Sequence, residues 1–120
     1  MNFLMVALGG AVGATGRYAI SLLPVRSAFP VLTLITNVLG ALLIGFAVGW
    51  TLAKPDVSEN SQLFLKTGVC GGFTTFSTFS LEALTLLDEG RVGLSITYMC
   101  LSMILCIVGV YVGRMLGSRI

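Results

Sequence analysis

The stretch "CGGFTTFSTFS", residues 70–80, differs sharply from the apolar sequence on either side of it. Two adjacent glycines, Gly71 and Gly72, precede phenylalanines that recur at every third position. The hydroxyl side chains among these rings are Thr74, Thr75, Ser77, Thr78 and Ser80. A glycine inside a helix costs about 1 kcal/mol relative to alanine, and polar groups inside a membrane need partners. The fold therefore depends on where this stretch lies and on what satisfies its polar groups.

The composition of the chain indicates that lipid is its main solvent. Of its 120 residues, 56% are hydrophobic and only 10% are charged, and the mean hydropathy is +0.99. A soluble domain carries about 25% charged residues. A spanning helix needs roughly 20 apolar residues, so we expect one transmembrane domain, residues 1–120, with four spans. The net charge of +2 comes from scattered basic residues, which does not favour nucleic-acid binding.

Histidine and cysteine usage gives no sign of a metal centre. The chain has no histidine, the commonest ligand of zinc and haem. Its three cysteines, Cys70, Cys100 and Cys106, lie in apolar segments without the spacing of a metal site. We interpret all three as small core residues.

Turn signals divide the chain into four predicted helices. The polar or proline-bracketed segments "PVRSAFP" (24–30), "KPDVSEN" (54–60) and "DEGR" (88–91) separate the apolar runs. The first run lacks a positively charged beginning, so we expect a span and not a signal peptide. Helices are expected because every backbone group in lipid must find a partner. The predicted spans cover residues 2–23, 31–53, 61–87 and 92–116.

Basic residues give almost no preference for one orientation. One side of a four-span protein would hold Lys54, Arg114 and Arg119, with Lys66 near it. The other side would hold Arg26 and Arg91, with Arg17 slightly inside the membrane. The positive-inside rule needs a clearer excess. We therefore expect insertion in both orientations and an antiparallel dimer of inverted copies, the two-chain counterpart of the inverted repeats in transporters.

Several polar residues fall inside the predicted spans, where each is a candidate for function. Asn37 in span 2 suits either a helix–helix hydrogen bond or a functional site, and Arg17 suits snorkelling to the interface. Glu82 is the only carboxylate within a span, but its place near the membrane surface disfavours a proton carrier. Tyr98 and Ser102 lie one turn apart and are predicted to face the groove of the span-3 hydroxyls.

Gly71-Gly72 followed by Thr74-Thr75 predicts a break in the third helix at mid-membrane. A break frees backbone carbonyls, which suit a hard cation such as Na⁺. The start of the second half-helix, near residues 75–79, offers free N–H groups and a positive dipole end to an anion.

The rings and hydroxyls after the break allow two interpretations. Phenyl edges are positive, so ring edges together with the hydroxyls of Ser77, Thr78 and Ser80 suit a small anion. Alternatively, the rings pack against another helix and the hydroxyls donate to carbonyls four residues earlier. The residues alone leave both open.

The motifs of the chain resemble those of one known family. "GGFTTFSTFS", the N-terminal "GGAVGATGRY" (9–18) and an asparagine in span 2 are similar to the Fluc (CrcB) fluoride channels over essentially the whole chain. The order "GGxTTFSTF" followed by Glu82 is complete here. Phe73 stands where the family often has another apolar residue, a departure that should not affect function.

The resemblance implies a dual-topology antiparallel homodimer in the lipid of the bacterial plasma (inner) membrane, which exports cytoplasmic fluoride passively. It implies a structural Na⁺ at the dimer centre, held by the backbone carbonyls of Gly71 and Thr74 and not transported. The residues that the resemblance places along the fluoride pore are Phe76, Phe79, Asn37, Ser77, Thr78, Glu82, Tyr98 and Ser102.

Three other functions fit the sequence less well. A small proton-coupled multidrug exporter shares the length and dual topology but needs a buried carboxylate in span 1, which has no Asp or Glu. An accessory subunit would explain the glycines spaced four apart, such as Gly9/Gly13 and Gly45/Gly49, which suit close helix packing, but not the span-3 motif. An enzyme is disfavoured, because no nucleophile–base pair or metal-ligand cluster can be assembled.

Overall fold

The computed structural model describes residues 1–120 and contains only helices and turns. The elements are α1 (Asn2–Ser21), α2 (Val31–Ala53), α3 (59–73), α4 (Phe76–Asp88) and α5 (Val92–Ser118). The helical turns of α3 run without interruption through Glu59–Gln62, a π-helical segment Leu63–Cys70 and Gly71–Phe73. Together α3 and α4 make the third of four helical segments, so the predicted all-helical fold with four helices is confirmed.

The third segment differs from the others in its ability to cross a membrane. Helices α1, α2 and α5 are each long and apolar enough to span one. Helix α4 has 13 residues, about 20 Å at 1.5 Å per residue, against roughly 30 Å of hydrocarbon. The third of four crossings in chain order therefore needs α3 and α4 in succession.

Glycines bring α1 directly against α3. A Cβ at Gly9 would overlap the Phe64 carbonyl oxygen, and one at Gly13 would overlap that of Val69. The residue numbers of α1 and α3 increase in the same direction along these contacts, so the two helices run parallel. Such close backbone approach is the packing expected of small residues in membrane helices.

A second glycine-lined pair joins α2 to α5 in the same way. A Cβ at Gly45 would overlap the Val110 carbonyl oxygen, and one at Gly113 would overlap that of Leu42. These helices are also parallel. The four segments thus form two close parallel pairs, first with third and second with fourth.

The predicted break is present, and it lies at Thr74 and Thr75, after two glycines that remain helical. Gly71 has helical dihedrals, φ −64° and ψ −37°. The backbone becomes extended only at Thr74 (φ −81°, ψ 156°) and Thr75 (φ −146°, ψ 118°). Gly72 instead permits packing, since a Cβ there would lie 2.7 Å from the Gly10 carbonyl oxygen.

Two alanine substitutions in α5 test whether the glycines act through packing. Gly113→Ala places a methyl group against the α2 backbone, and overpacking of this kind costs about 1–3 kcal/mol. Gly93→Ala is the matched control, because a Cβ there has nothing within 4 Å and alanine is favoured over glycine by about 1 kcal/mol in a helix. Heating in detergent followed by size-exclusion chromatography should give a lower unfolding midpoint for Gly113→Ala alone. Equal midpoints for the two variants would contradict the packing role.

Candidate ion pathway

Asn37 of α2 satisfies the backbone at the break in the third helix. Its Nδ2 donates to the Thr75 carbonyl oxygen at 3.1 Å, and the Thr75 amide donates to its Oδ1 at 2.8 Å. Thr75 is extended and has no helical partners for these groups, so the side-chain amide replaces a peptide unit. One Nδ2 hydrogen is left for a further acceptor. Asn37 therefore makes the helix–helix hydrogen bond that was one of its two interpretations, and it keeps one free N–H donor.

Arg17 of α1 holds the chain on the α3 side of the break. Its Nε donates to the Gly72 carbonyl oxygen at 3.2 Å, and the residue is half-buried. This bond gives Arg17 a partner within the chain, and snorkelling of its guanidinium to the interface stays a prediction. The chain's one ion pair, Glu89 with Arg91 at 4.0 Å, is exposed, so the Arg17 guanidinium has no carboxylate partner within the chain.

Thr75 also caps α4. Its Oγ1 accepts a hydrogen bond from the Thr78 amide at 3.2 Å, the normal role of an N-cap threonine. The amides of Phe76 and Ser77 have no acceptor within the chain. The N-terminus of α4 therefore keeps two free N–H groups at the positive end of the helix dipole.

Some hydroxyl groups of the motif donate to backbone carbonyls of their own helix, and others stay free for an anion. Thr74 Oγ1 donates to the Cys70 carbonyl and Ser80 Oγ to the Phe76 carbonyl, each at 2.9 Å and each four residues earlier. The Ser77 and Thr78 hydroxyls make no such bond; Ser77 Oγ lies 3.5 Å from that of Thr75. Back-bonding thus accounts for only part of the motif.

The backbone carbonyls of Gly71 and Thr74 accept no hydrogen bond within the chain. Arg17 takes the carbonyl of Gly72, which lies between them in sequence. Gly71 is exposed, and a Cβ there would meet only the Lys66 carbonyl oxygen, at 4.0 Å. The two oxygens are therefore available to a ligand from outside the chain.

A groove of about 520 Å³ opens beside the break, between α2, α4 and α5. Four of the eight predicted pore residues line it: Asn37, Phe76, Phe79 and Ser102. Ser77 and Thr78 are on α4 but are not part of its lining. The groove places an amide, two aromatic rings and a hydroxyl around one apolar space.

Three aromatic rings follow one another from the groove. The centroids of Phe76 and Phe79 lie 5.7 Å apart, and those of Phe79 and Tyr98 lie 5.1 Å apart. Phe76 is 80% exposed in the single chain. Phe79 packs between the other two, so the predicted stripe on α4 is extended by a ring of α5.

Tyr98 links the rings to Glu82. It is fully buried, and its hydroxyl donates to Glu82 Oε1 at 3.2 Å. Glu82 also lines a separate cavity of about 180 Å³ beside the α1–α2 connection. Tyr98 and Glu82 therefore lie between the groove and one end of the molecule.

Ser102 is a buried polar group without a partner. It is 7% exposed, and its Oγ makes no hydrogen bond. Buried hydroxyls are nearly always hydrogen-bonded to protein or water. Its position in the groove lining leaves this donor for a ligand or water there.

Sequence reasoning missed three contributors to this region. These are the Arg17 bond to Gly72, the double bond of Asn37 to Thr75, and the presence of Cys106 in the groove. The cysteines do not form one class, since Cys70 is buried, Cys106 is half-buried and Cys100 is exposed. The four-residue spacing from Tyr98 to Ser102, continued by one turn, would have reached Cys106.

Comparison with known proteins identifies the family. The family model "CrcB-like protein, Camphor Resistance (CrcB)" matches residues 4–114. The fluoride-specific ion channel FluC of Agrobacterium fabrum is 42% identical over 123 aligned positions, which cover 100% of this chain and 98% of the relative. The FluC of Ruminiclostridium cellulolyticum is also 42% identical, with 100% and 95% covered. That of Clostridium perfringens is 43% identical, with 95% and 91% covered.

The match covers nearly the whole chain, and the groove and the break are built by residues inside it. The resemblance inferred from the span-3 motif is thus confirmed. The chain belongs to the CrcB family.

Proposed function

We propose that the chain is a fluoride-selective channel of a bacterial membrane that lets cytoplasmic fluoride leave passively. The observation that carries the proposal is the groove beside the break, where Asn37, Phe76, Phe79 and Ser102 surround one space. Relatives of about 40% identity over the full chain are named fluoride-specific ion channels. Membership of this family supports transport over catalysis.

The groove stabilises an anion with dipoles and without a fixed charge. Donors available to it are the spare Asn37 amide hydrogen, the Ser102 hydroxyl and the free amides at the start of α4. Ring edges of Phe76 and Phe79 add positive partial charge. No Lys or Arg lines the groove. Fluoride therefore exchanges its water for weak partners and is released again, as conduction requires.

Tyr98 and Glu82 continue the path toward one end of the molecule in this proposal. Tyr98 contacts the Phe79 ring and donates to Glu82, which reaches the second cavity. Ser77 and Thr78 bring hydroxyls that no carbonyl of the chain engages. Both remain proposed pore residues, on the side of α4 that the groove lining does not include.

The direction of transport follows from weak-acid chemistry. Neutral HF crosses lipid and dissociates at cytoplasmic pH, which leaves the anion trapped. An inside-negative potential, worth about 2.3 kcal/mol per charge for 100 mV, then drives fluoride outward through a selective pore. No coupling ion is needed.

A structural Na⁺ fits the carbonyl side of the break. Oxygen is the ligand that hard cations require, and the Gly71 and Thr74 carbonyls accept no hydrogen bond within the chain. We propose that these oxygens, together with those of a second copy, hold one Na⁺ at the centre of the dimer. The bound cation would neutralise the facing carbonyl dipoles and fix the two chains together.

An antiparallel homodimer of dual topology completes the proposed assembly. Phe76, 80% exposed at the start of α4, and Gly71, exposed near the end of α3, flank the break and leave surface open to a second copy. The near balance of basic residues at the two ends is compatible with insertion in both directions. The proton-coupled multidrug exporter is not favoured, because α1 contains no Asp or Glu.

The direct test of the proposed function is anion efflux from liposomes. The purified chain is reconstituted with fluoride or chloride inside, and a potassium ionophore balances the charge. We expect rapid fluoride efflux and much slower chloride efflux, since fluoride has the higher charge density and accepts stronger hydrogen bonds from the donors of the groove. Absence of fluoride efflux, or chloride efflux of equal rate, would sink the proposal.

Substitution of the groove rings tests their contact with the anion. Phe76→Ile and Phe79→Ile each keep apolar bulk but remove the ring edge. We expect fluoride efflux to slow by about tenfold or more, the effect of ~1.4 kcal/mol on a barrier. Phe3→Ile is the control, since Phe3 is 92% exposed near the start of α1, away from the groove.

The oligomeric state of the ring variants is measured by cross-linking in the liposomes. Slow efflux from an intact dimer supports a pore role for the rings. Loss of the dimer would show that the rings serve packing instead.

Removal of Na⁺ tests the proposed cation site. The protein is prepared and assayed with N-methylglucamine in place of Na⁺. We expect slower fluoride efflux that recovers when Na⁺ is returned, together with no measurable uptake of radioactive Na⁺. Full activity after verified removal would exclude a structural role, and Na⁺ uptake would show that the ion is transported.

A further inference from the structure

We propose that Cys106 and Met103 form a binding site for a soft monovalent cation, such as Ag⁺ or Cu⁺, in the wall of the groove, and that the bound cation blocks the groove. The block, but not the binding, rests on the proposed fluoride function.

The two sulfur side chains lie on one face of α5. Residues three apart on a helix have Cβ atoms about 5–6 Å from each other. Met103 and Cys106 both line the groove, as does Met99 one turn earlier. Cys106 is a free, half-buried thiol, and Met103 is 67% exposed in the single chain. A thiolate and a thioether are thus within reach of one ion.

The buried hydroxyl of Ser102 is an independent sign that this part of the groove takes a ligand. It precedes Met103 in sequence and lines the same groove. Its Oγ is buried and has no hydrogen-bond partner. A polar group in this position is normally satisfied, so the space beside it suits a ligand or the water that accompanies one.

The kind of donor selects the kind of cation. The structure contains no group of three or more His, Cys, Asp or Glu that would hold a harder metal. Thiolate and thioether sulfurs favour soft ions such as Cu⁺, and Ag⁺ shares this preference and binds well to two ligands. Binding is a substitution without redox change: the Cys106 S–H bond breaks, the proton leaves to water, and an S–Ag bond forms. The Met103 sulfur donates a lone pair to the same ion.

The bound ion would lie within the proposed anion path. Phe79 and Ser102 line the same space. Ag⁺ fixed there replaces the proton of the Cys106 thiol, so the net charge of the site is unchanged and the ion blocks the path by occupying the groove.

The block is tested with Ag⁺ on reconstituted liposomes in nitrate and fluoride salts, because chloride would precipitate silver. We expect micromolar Ag⁺ to abolish fluoride efflux and an excess of dithiothreitol to restore it. Cys106→Ser should make efflux insensitive to Ag⁺. Met103→Leu should shift the half-blocking concentration upward. Cys100→Ser is the matched control on the same helix, exposed and outside the groove lining, and should stay fully sensitive.

Binding is measured separately, so that failure of the site and failure of the proposed function are distinguishable. The silver retained per chain is determined by elemental analysis for the wild type and each variant. Cys106→Ser should retain one Ag⁺ fewer than the wild type, whether or not fluoride passes. Equal retention, or a Cys106→Ser channel that Ag⁺ still blocks, would overturn the inference. Absence of fluoride efflux from untreated wild type would instead contradict the proposed function and leave the retention result to decide the site.

Discussion

The requirement that every backbone group inside a membrane has a partner governs the rest of this structure. Thr74 and Thr75 leave the helical conformation. In lipid this exposes backbone N–H and C=O groups, which is strongly unfavourable unless other residues bond to them. Asn37 meets the requirement from α2 by bonding both the amide and the carbonyl of Thr75. Arg17 meets it from α1 by donating to Gly72. The break is thus a feature that two neighbouring helices build, not a property of its own sequence alone.

The glycine-lined pairs explain how these two side chains come within reach of the break. Close packing of α1 on α3 leaves the Arg17 side chain near the Gly72 carbonyl. In α2, Gly40 lies against the Thr74 side chain, and Asn37 is one turn earlier. A larger residue at these glycines would separate the helices by more than a hydrogen bond can bridge. Packing and polar satisfaction therefore depend on each other.

Physical reasoning from the sequence predicted the all-helical fold with four helices, because composition and turn signals are local properties. It also predicted that Asn37 is either a structural or a functional group, and the structure shows the bonds it makes. The break lies in the predicted stretch, but the sequence did not show that the glycines before it stay helical. A pair such as Gly71-Gly72 can weaken a helix or let another helix pack closely. The short distance from Gly72 to the Gly10 backbone shows that Gly72 serves close packing.

Arg17 was missed for a similar reason, since its acceptor lies 55 residues away in the sequence. The place of Cys106 in the groove also depends on how α2, α4 and α5 are arranged. Contacts between helices of this kind leave no local pattern. The resemblance of motifs could name pore residues, yet it could not show that Asn37 and Thr75 are joined.

The geometry of the break suits two ions of opposite charge on its two sides. Helix α3 ends with carbonyls, and those of Gly71 and Thr74 have no partner within the chain. Helix α4 begins with amides, and those of Phe76 and Ser77 have none either. In an unbroken helix, these amides and carbonyls would form hydrogen bonds within the helix and would not be free. One interruption therefore creates both an acceptor-rich and a donor-rich surface inside the membrane, and in the proposed channel the first holds a cation still while the second helps an anion pass.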